Sequence, residues 1–149
     1  MAQPTLEAAR VLEEARLAAQ WYRHARVGPG HLLLALVRQE QSDAARLQAE
    51  AGINLRGAAA AFEAEVGWGS AASAHVAAPF EKASAAALEV ARREADRRSH
   101  RQVATTHLLL GLLGLPDEAS SSRMLGHLGA SRERLRQDAE RHLSDGPGI

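Results

Sequence analysis

The chain has 149 residues, no cysteine, and 18 basic side chains against 18 acidic ones, with 46% of residues apolar and 3% aromatic. The lack of cysteine excludes a disulfide framework and any thiolate metal site and fits a reducing cytoplasm, while the balanced charge gives no overall pull toward nucleic acid or an anionic membrane. A chain of this size and apolar content suits one domain or two small packed halves, and many alanines with few aromatics favour closely packed helices over sheets.

The opening MAQPTLEAARVLEEARL interleaves Glu7, Arg10, Glu13 and Glu14 with apolar residues, so it does not serve as a secretory hydrophobic segment. Leu12, Ala15, Ala19 and Tyr22 recur at steps of three and four, which predicts a helix from about Thr5 to Arg23. Trp21 lies beside that stripe, nearer the rim, where an aromatic is either an anchor for a partner or a cover for the edge of the core. A short second helix starts near Pro29, whose fixed φ and missing N–H suit the first helical position. Its sequence, GPGHLLLALV at 28–37, is apolar almost all round and predicts burial. A third helix runs from about Ser42 to Ala51, stopped by Gly52. A fourth follows Asn54 as N-cap, with Leu55, Ala58, Ala59, Phe62 and Val66 as its stripe. The stretch GWGSAASAHVAAP at 67–79 reads as a linker or surface loop, in which Trp68 is as ambiguous as Trp21.

The second half repeats the first. At an offset of 76, Leu12, Ala15, Ala19, His24, Val27 and His31 fall on Leu88, Ala91, Ala95, His100, Val103 and His107. After one extra loop residue the offset is 77, and Arg46, Gly52 and Asn54 meet Arg123, Gly129 and Ser131. Here Thr105 is expected to cap the short apolar helix, Ser120, Ser121 and Ser122 to cap the third, and Ser131, Leu135, Ala139 and Leu143 to repeat the fourth. The predicted architecture is all-α. Two four-helix repeats, 5–66 and 80–143, are related by a pseudo-twofold axis and form one eight-helix domain, joined by a linker at 67–79 and followed by a flexible tail at 144–149. The longest apolar runs are too short to span a bilayer.

His31 and His107 invite a catalytic or metal-binding role. Each stands in the first turn of a buried helix, where the expected role is structural, the imidazole bonding a carbonyl of the preceding segment. His24 and His100 lie seven residues earlier, so a two-histidine site in each half is geometrically conceivable, but a metal wants a third ligand that no motif supplies. No G-x-S-x-G turn presents a nucleophile. No catalytic residue, cofactor or metal is therefore expected. At helical spacing Arg93, Arg97 and Arg101 share a face that either receives a phosphate or an acidic partner or pairs in solvent with Glu89, Glu94 and Asp96.

The stretch ALEVARREADRRSHRQVATTHLLLGLL at 87–113, with EEARLAAQWYRHARVGPGHLLLALV and AARLQAEAGIN in the first half, resembles the double-repeat N-terminal domain of the Clp AAA+ unfoldases of the ClpA, ClpC and ClpB type. The resemblance implies an eight-helix globule that recruits substrates and adaptors. No G-x-x-x-x-G-K-[ST] phosphate loop accompanies it, so the chain reads as a stand-alone recruiting domain without ATPase modules. It implies, further, a protein or peptide partner (a Clp unfoldase, adaptor or substrate), no nucleic acid and no membrane, with Trp21, Pro29, Gly30, Thr105 and Thr106 as candidate contacts. Many relatives carry a Glu before the repeated histidine, implicated in holding phosphoarginine. Gly30 and Thr106 stand in those places, leaving a guanidinium without its carboxylate. The alternatives are a small-molecule-binding decoy with a cleft near the repeat interface, and a hydrolase.

Overall fold

Caps start most of the helices in the first half. Thr5 accepts the Ala8 N–H at 3.1 Å, Ser42 the Ala45 N–H at 3.2 Å, and Asn54 the Gly57 N–H at 2.8 Å. The structure, a computed structural model, describes residues 2–71 and 78–145. Among them are eight helices: α1 Leu6–Trp21, α2 Pro29–Arg38, α3 Asp43–Glu50, α4 Leu55–Glu65, α5 Lys82–Arg97, α6 Thr105–Leu113, α7 Ser120–His127 and α8 Arg132–Asp145. Two short strands, β1 Gln3–Pro4 and β2 Gln102–Val103, pair in parallel.

The second half follows the first in register. α1 and α5 each end on a residue in the left-handed region, Arg23 at φ 62° and Ser99 at φ 58°. α3 and α7 are each followed by a glycine there, Gly52 at φ 85° and Gly129 at φ 71°, where a side chain would be strained. The twofold relation shows in exchanged contacts. Thr5 N–H donates to Val103 O at 2.9 Å, and its counterpart Glu81 donates to Val27 O at 2.8 Å. The β1–β2 pair has as its mate the parallel bridge between Val27 and Phe80. Each repeat thus lends its lead-in segment to the other, as a rotation relating His31 to His107 requires.

Between the repeats α1, α2, α5 and α6 meet at Val11, Leu32, Leu36, Ala87, Leu88, Leu108 and Leu112, around a void of about 10 Å³. Three twin pairs are among them, Val11 with Ala87, Leu32 with Leu108, and Leu36 with Leu112, so the seam is a self-complementary core. Leu33 and Leu109 are fully buried, as the lack of a polar face predicts.

Four local expectations change. Ala104, not Thr105, is the N-cap of α6; the Thr105 hydroxyl instead accepts the Ala44 N–H of α3 at 3.3 Å, serving the other repeat. Ala119 precedes α7 without a side-chain cap, and the Ser120 hydroxyl accepts the Gly30 N–H at 2.7 Å. Both hydroxyls satisfy helix-start donors across the seam, a pairing that only tertiary packing creates. Helix α8 continues through Ser144 and Asp145, so the segment expected as tail is helical at its start, and 146–149 lie outside the described residues. The segment expected as linker begins anchored: Gly69 N–H donates to Tyr22 O at 2.7 Å and Ala71 N–H to Arg23 O at 3.0 Å. Residues 72–77 lie outside the described residues.

Candidate functional site

The histidines form two matched pairs. His24 Nδ1 lies 2.9 Å from His31 Nε2, and His100 Nδ1 lies 3.0 Å from His107 Nε2. Gly28 N–H donates to His31 Nδ1 at 2.9 Å, and Ala104 N–H to His107 Nδ1 at 2.8 Å. This corrects the expected carbonyl bond: the inner ring accepts from the N-cap N–H, as the Glu or Gln of a capping box does, while Gly28 and Ala104 have no polar side chain to return the bond. A backbone N–H can only donate, so Nδ1 of each inner ring is the acceptor and Nε2 carries the proton given to the outer ring. That proton occupies the lone pair a metal would need. Burial, then the neighbouring His24, holds His31 down to about 3. His107 is held at about 4, first by burial and next by His100. Both inner rings are neutral at physiological pH and act as buried struts. Among the described residues no group of three His, Asp or Glu side chains is placed to hold a metal.

Against the first pair lies a cavity of about 680 Å³ at the repeat boundary, bordered by His24, Pro29, Phe62, Glu81, Glu118 and Arg123 among others. Pro29, Gly30, Thr105 and Thr106 were expected as partner contacts, and all four are buried. They start helices at the seam, and of the four only Pro29 borders that cavity. A Cβ at Gly30 would lie 3.1 Å from the Phe62 ring and from Ser120 Oγ. A glutamate there has no room until both move.

Trp21 stands apart from that set at 71% exposure. It borders a groove of about 670 Å³ with α2 as floor, through Leu34 and Ala35, and with α1 and α4 as walls, through Leu17, Trp21, Leu55 and Ala59. Leu17 is 49% exposed. At one end the Tyr22 ring lies 4.7 Å from that of Trp68, and its hydroxyl donates to Glu63 at 2.9 Å. Burial and then Glu63 push the phenol up to about 12, so it stays a donor. At the other end Arg38 pairs with Glu14 at 3.2 Å. The sequence pointed to Trp21 alone. Leu17 and Leu55 join it through packing: Leu17 stood off the buried stripe of α1, whereas Leu55, expected within the stripe of α4, is exposed.

The basic face on α5 is largely paired along its own helix. Arg93 meets Glu89 at 3.5 Å and Arg97 meets Glu94 at 2.8 Å, while Arg101, expected on the same helical face, is exposed beyond the end of α5, which Ser99 in the left-handed region closes off. Exposed i,i+3 and i,i+4 pairs of this kind contribute a few tenths of a kcal/mol. They describe a solvated face.

The Clp repeat (R) N-terminal domain family matches residues 3–113 and 79–149. The chain is 33% identical over 141 residues to the chaperone protein ClpC, chloroplastic, of Pisum sativum, covering 95% of this chain and 15% of that protein. The same identity and coverage hold for the chaperone protein ClpC1, chloroplastic, of Arabidopsis thaliana, so the chain spans about 15% of the length of these curated relatives. Among solved structures it superposes on the N-terminal domain of ClpD from Arabidopsis thaliana with TM-score 0.82, 23% identity and 95% coverage of both chains. The Hsp104 N-terminal domain of Candida albicans gives TM-score 0.79 at 18% identity, covering 99% of this chain and 95% of that one. A complex of the ClpV N-domain with VipB peptide gives 0.71 at 18%, covering 99% and 90%. These structures share the eight-helix fold, the family match spans both repeats, and the chain belongs to the Clp repeat (R) N-terminal domain family.

Proposed function

We propose that this chain is a non-enzymatic module that binds a protein or peptide and acts as an adaptor, accessory subunit or regulator of a Clp AAA+ unfoldase or protease. The observation that carries the reading is the apolar groove between α1, α2 and α4, where Leu17, Trp21 and Leu55 are exposed together. Exposed apolar surface rimmed by charge marks interaction sites. A ClpV N-domain of the same fold has been solved in complex with VipB peptide, which supports peptide recognition by this kind of domain. The test is co-migration of the purified protein with the Clp unfoldase of the same genome, its adaptors and its substrates, together with its effect on degradation rate. Saturable association or a changed rate supports the reading. No association with any of the three overturns it.

A second reading, capture of a small molecule, is favoured by the cavity of about 680 Å³ at the repeat boundary. A ligand-induced rise in melting temperature that depends on residues such as Phe62 and Glu118 would support it over the first.

A further inference from the structure

The pseudo-twofold supplies an internal control for the groove. Leu17, Trp21 and Tyr22 have as counterparts, at the offset of 76, Arg93, Arg97 and Arg98. Leu55 and Ala59 have, at the offset of 77, Arg132 and Arg136. All five positions line the groove in repeat one, and all five are arginine in repeat two. Those arginines are engaged. Arg136 donates to Leu113 O at 3.2 Å, at the C-terminal end of α6. Arg132 donates to Leu115 O at 2.8 Å and to Ser122 Oγ at 2.9 Å, and also pairs with Asp117. Arg97 and Arg98 converge on Glu94, whose counterpart Ala18 also lines the open groove. Repeat two therefore occupies this place with its own charged side chains, Arg132 and Arg136 on carbonyl oxygens and Arg93, Arg97 and Arg98 on carboxylates.

Repeat one presents the same backbone without the filling. Its counterpart of Leu113 O is Val37 O, for which no donor occurs among the described residues. The carboxylate of Glu14 borders the same end of the groove. The walls run from Glu14 to Trp21 along α1, seven steps of about 1.5 Å, or roughly 10 Å, which is about two turns of a facing helix. The one ion pair on the lining, Glu14 with Arg38, leaves it without net charge.

Resting on the reading above, we propose that the groove of repeat one, and not its counterpart, docks a single amphipathic helix of a partner protein. That helix presents bulky apolar anchors across two turns and an Arg or Lys one turn beyond them. The anchors fill the space between Leu17, Trp21 and Leu55, and the cation stands over the C-terminal carbonyls of α2, as Arg136 does over those of α6. The internal filling of repeat two sets the stoichiometry at one helix per chain.

The test uses designed helical peptides with leucines at i, i+4 and i+7 and, one turn beyond them, either Arg or Glu, with a control in which serine replaces the leucines. Trp21 and Trp68 are the two tryptophans of the chain and both flank the groove, so intrinsic fluorescence reports occupancy. The Arg peptide is expected to bind one to one and at least about fivefold more tightly than the Glu peptide, with no binding of the serine control. Ala59→Arg, which copies repeat two at a half-exposed helical site, is expected to weaken binding at least about tenfold with an unchanged melting temperature. Arg136→Ala is expected to leave it unchanged. Failure of the Arg peptide to bind, equal affinity of the Arg and Glu peptides, or equal binding by Ala59→Arg overturns the inference. If Ala59→Arg also retains full association with an established Clp partner, the groove assignment fails while the module reading stands. Loss of partner association by the unmodified protein is what would remove the reading itself.

Discussion

The two repeats share backbone and core and part company at one surface. In both, a short apolar helix is wrapped by three others, its first turn held by a histidine on the N-cap N–H and braced by a second histidine. Around that constant frame repeat one leaves Leu17, Trp21 and Leu55 open, while repeat two places arginines there and ties them to carbonyls and carboxylates. The core keeps its packing rather than its residues: buried Phe62 and Ala58 of repeat one stand where repeat two has Ala139 and Leu135, so large and small side chains trade places within a filled interior. A second difference runs the other way. Where α2 has Ala35, α6 has Gly111, and a Cβ on Gly111 would run into the Ala87 carbonyl oxygen of α5. The helix pair of repeat two sits closer than that of repeat one.

The deepest shared feature breaks hardest. Leu33→Ala and Leu109→Ala, both at fully buried sites, are each expected to cost about 2 to 5 kcal/mol in denaturant melts. Similar losses at the two sites would show that the core is symmetric in energy as well as in geometry. A loss below roughly 0.5 kcal/mol at either site, the range of ordinary surface changes, would mean that its helix is not packed as described.

Gly111→Ala tests where the symmetry fails, with an expected cost of about 1 to 3 kcal/mol from overpacking. Ala35→Gly is expected to cost only about 0.5 to 1 kcal/mol, the usual helix penalty. Stabilisation by Gly111→Ala would contradict the close approach of α5 and α6.

Acid titration compares the histidine pairs. Unfolding frees His31 and His107 to bind protons near pH 6.5, while folding holds them at about 3 and about 4. Below pH 6.5 the unfolded chain therefore binds more protons, and stability falls as pH falls. The contribution of His107 is lost between about 6.5 and 4, and that of His31 continues to fall to about 3. Burial also lowers His24, partly offset by Glu81 and a backbone bond to Gly67, so protonation of the outer ring of pair one meets the same resistance. His31→Gln, which keeps an acceptor for Gly28 N–H, should flatten the acid limb more than His107→Gln does. An unchanged slope in both variants would sink the assignment of neutral buried rings.

The smallest effect is expected at the surface. Trp21→Ala and its counterpart Arg97→Ala should each change stability by no more than about 0.5 kcal/mol, yet only the first should weaken partner binding. Equal loss of binding in both would erase the distinction between the open and filled faces.

Much of the frame was legible beforehand. The step of three and four on α1, the proline at the start of α2, Ser42 and Asn54 as caps, and the single added loop residue all follow from chemistry within one turn of the chain. The parallel pair of Gln3–Pro4 with Gln102–Val103 was not legible. Two-residue strands carry no periodicity, and their partners are distant in sequence. Thr105 and Ser120 misled for a related reason: each has a sound local use, and in the folded chain each serves a donor that packing placed beside it.

The candidate surface divides in the same way. Trp21 beside the apolar stripe, with Arg97 as its counterpart, was visible in the sequence, and so was the loss of acids at Gly30 and Thr106. The burial of those two positions was not, because helix-start residues are exposed or covered according to what the other repeat lays against them. Periodicity, caps and repeat register determined the helices and their order, since those depend on neighbours within a turn or two. Tertiary packing alone decided which apolar residues remained outside and that Leu17, Trp21, Leu55 and Ala59 enclose one groove. A groove exists only where three helices of different origin converge, and no local pattern encodes their convergence.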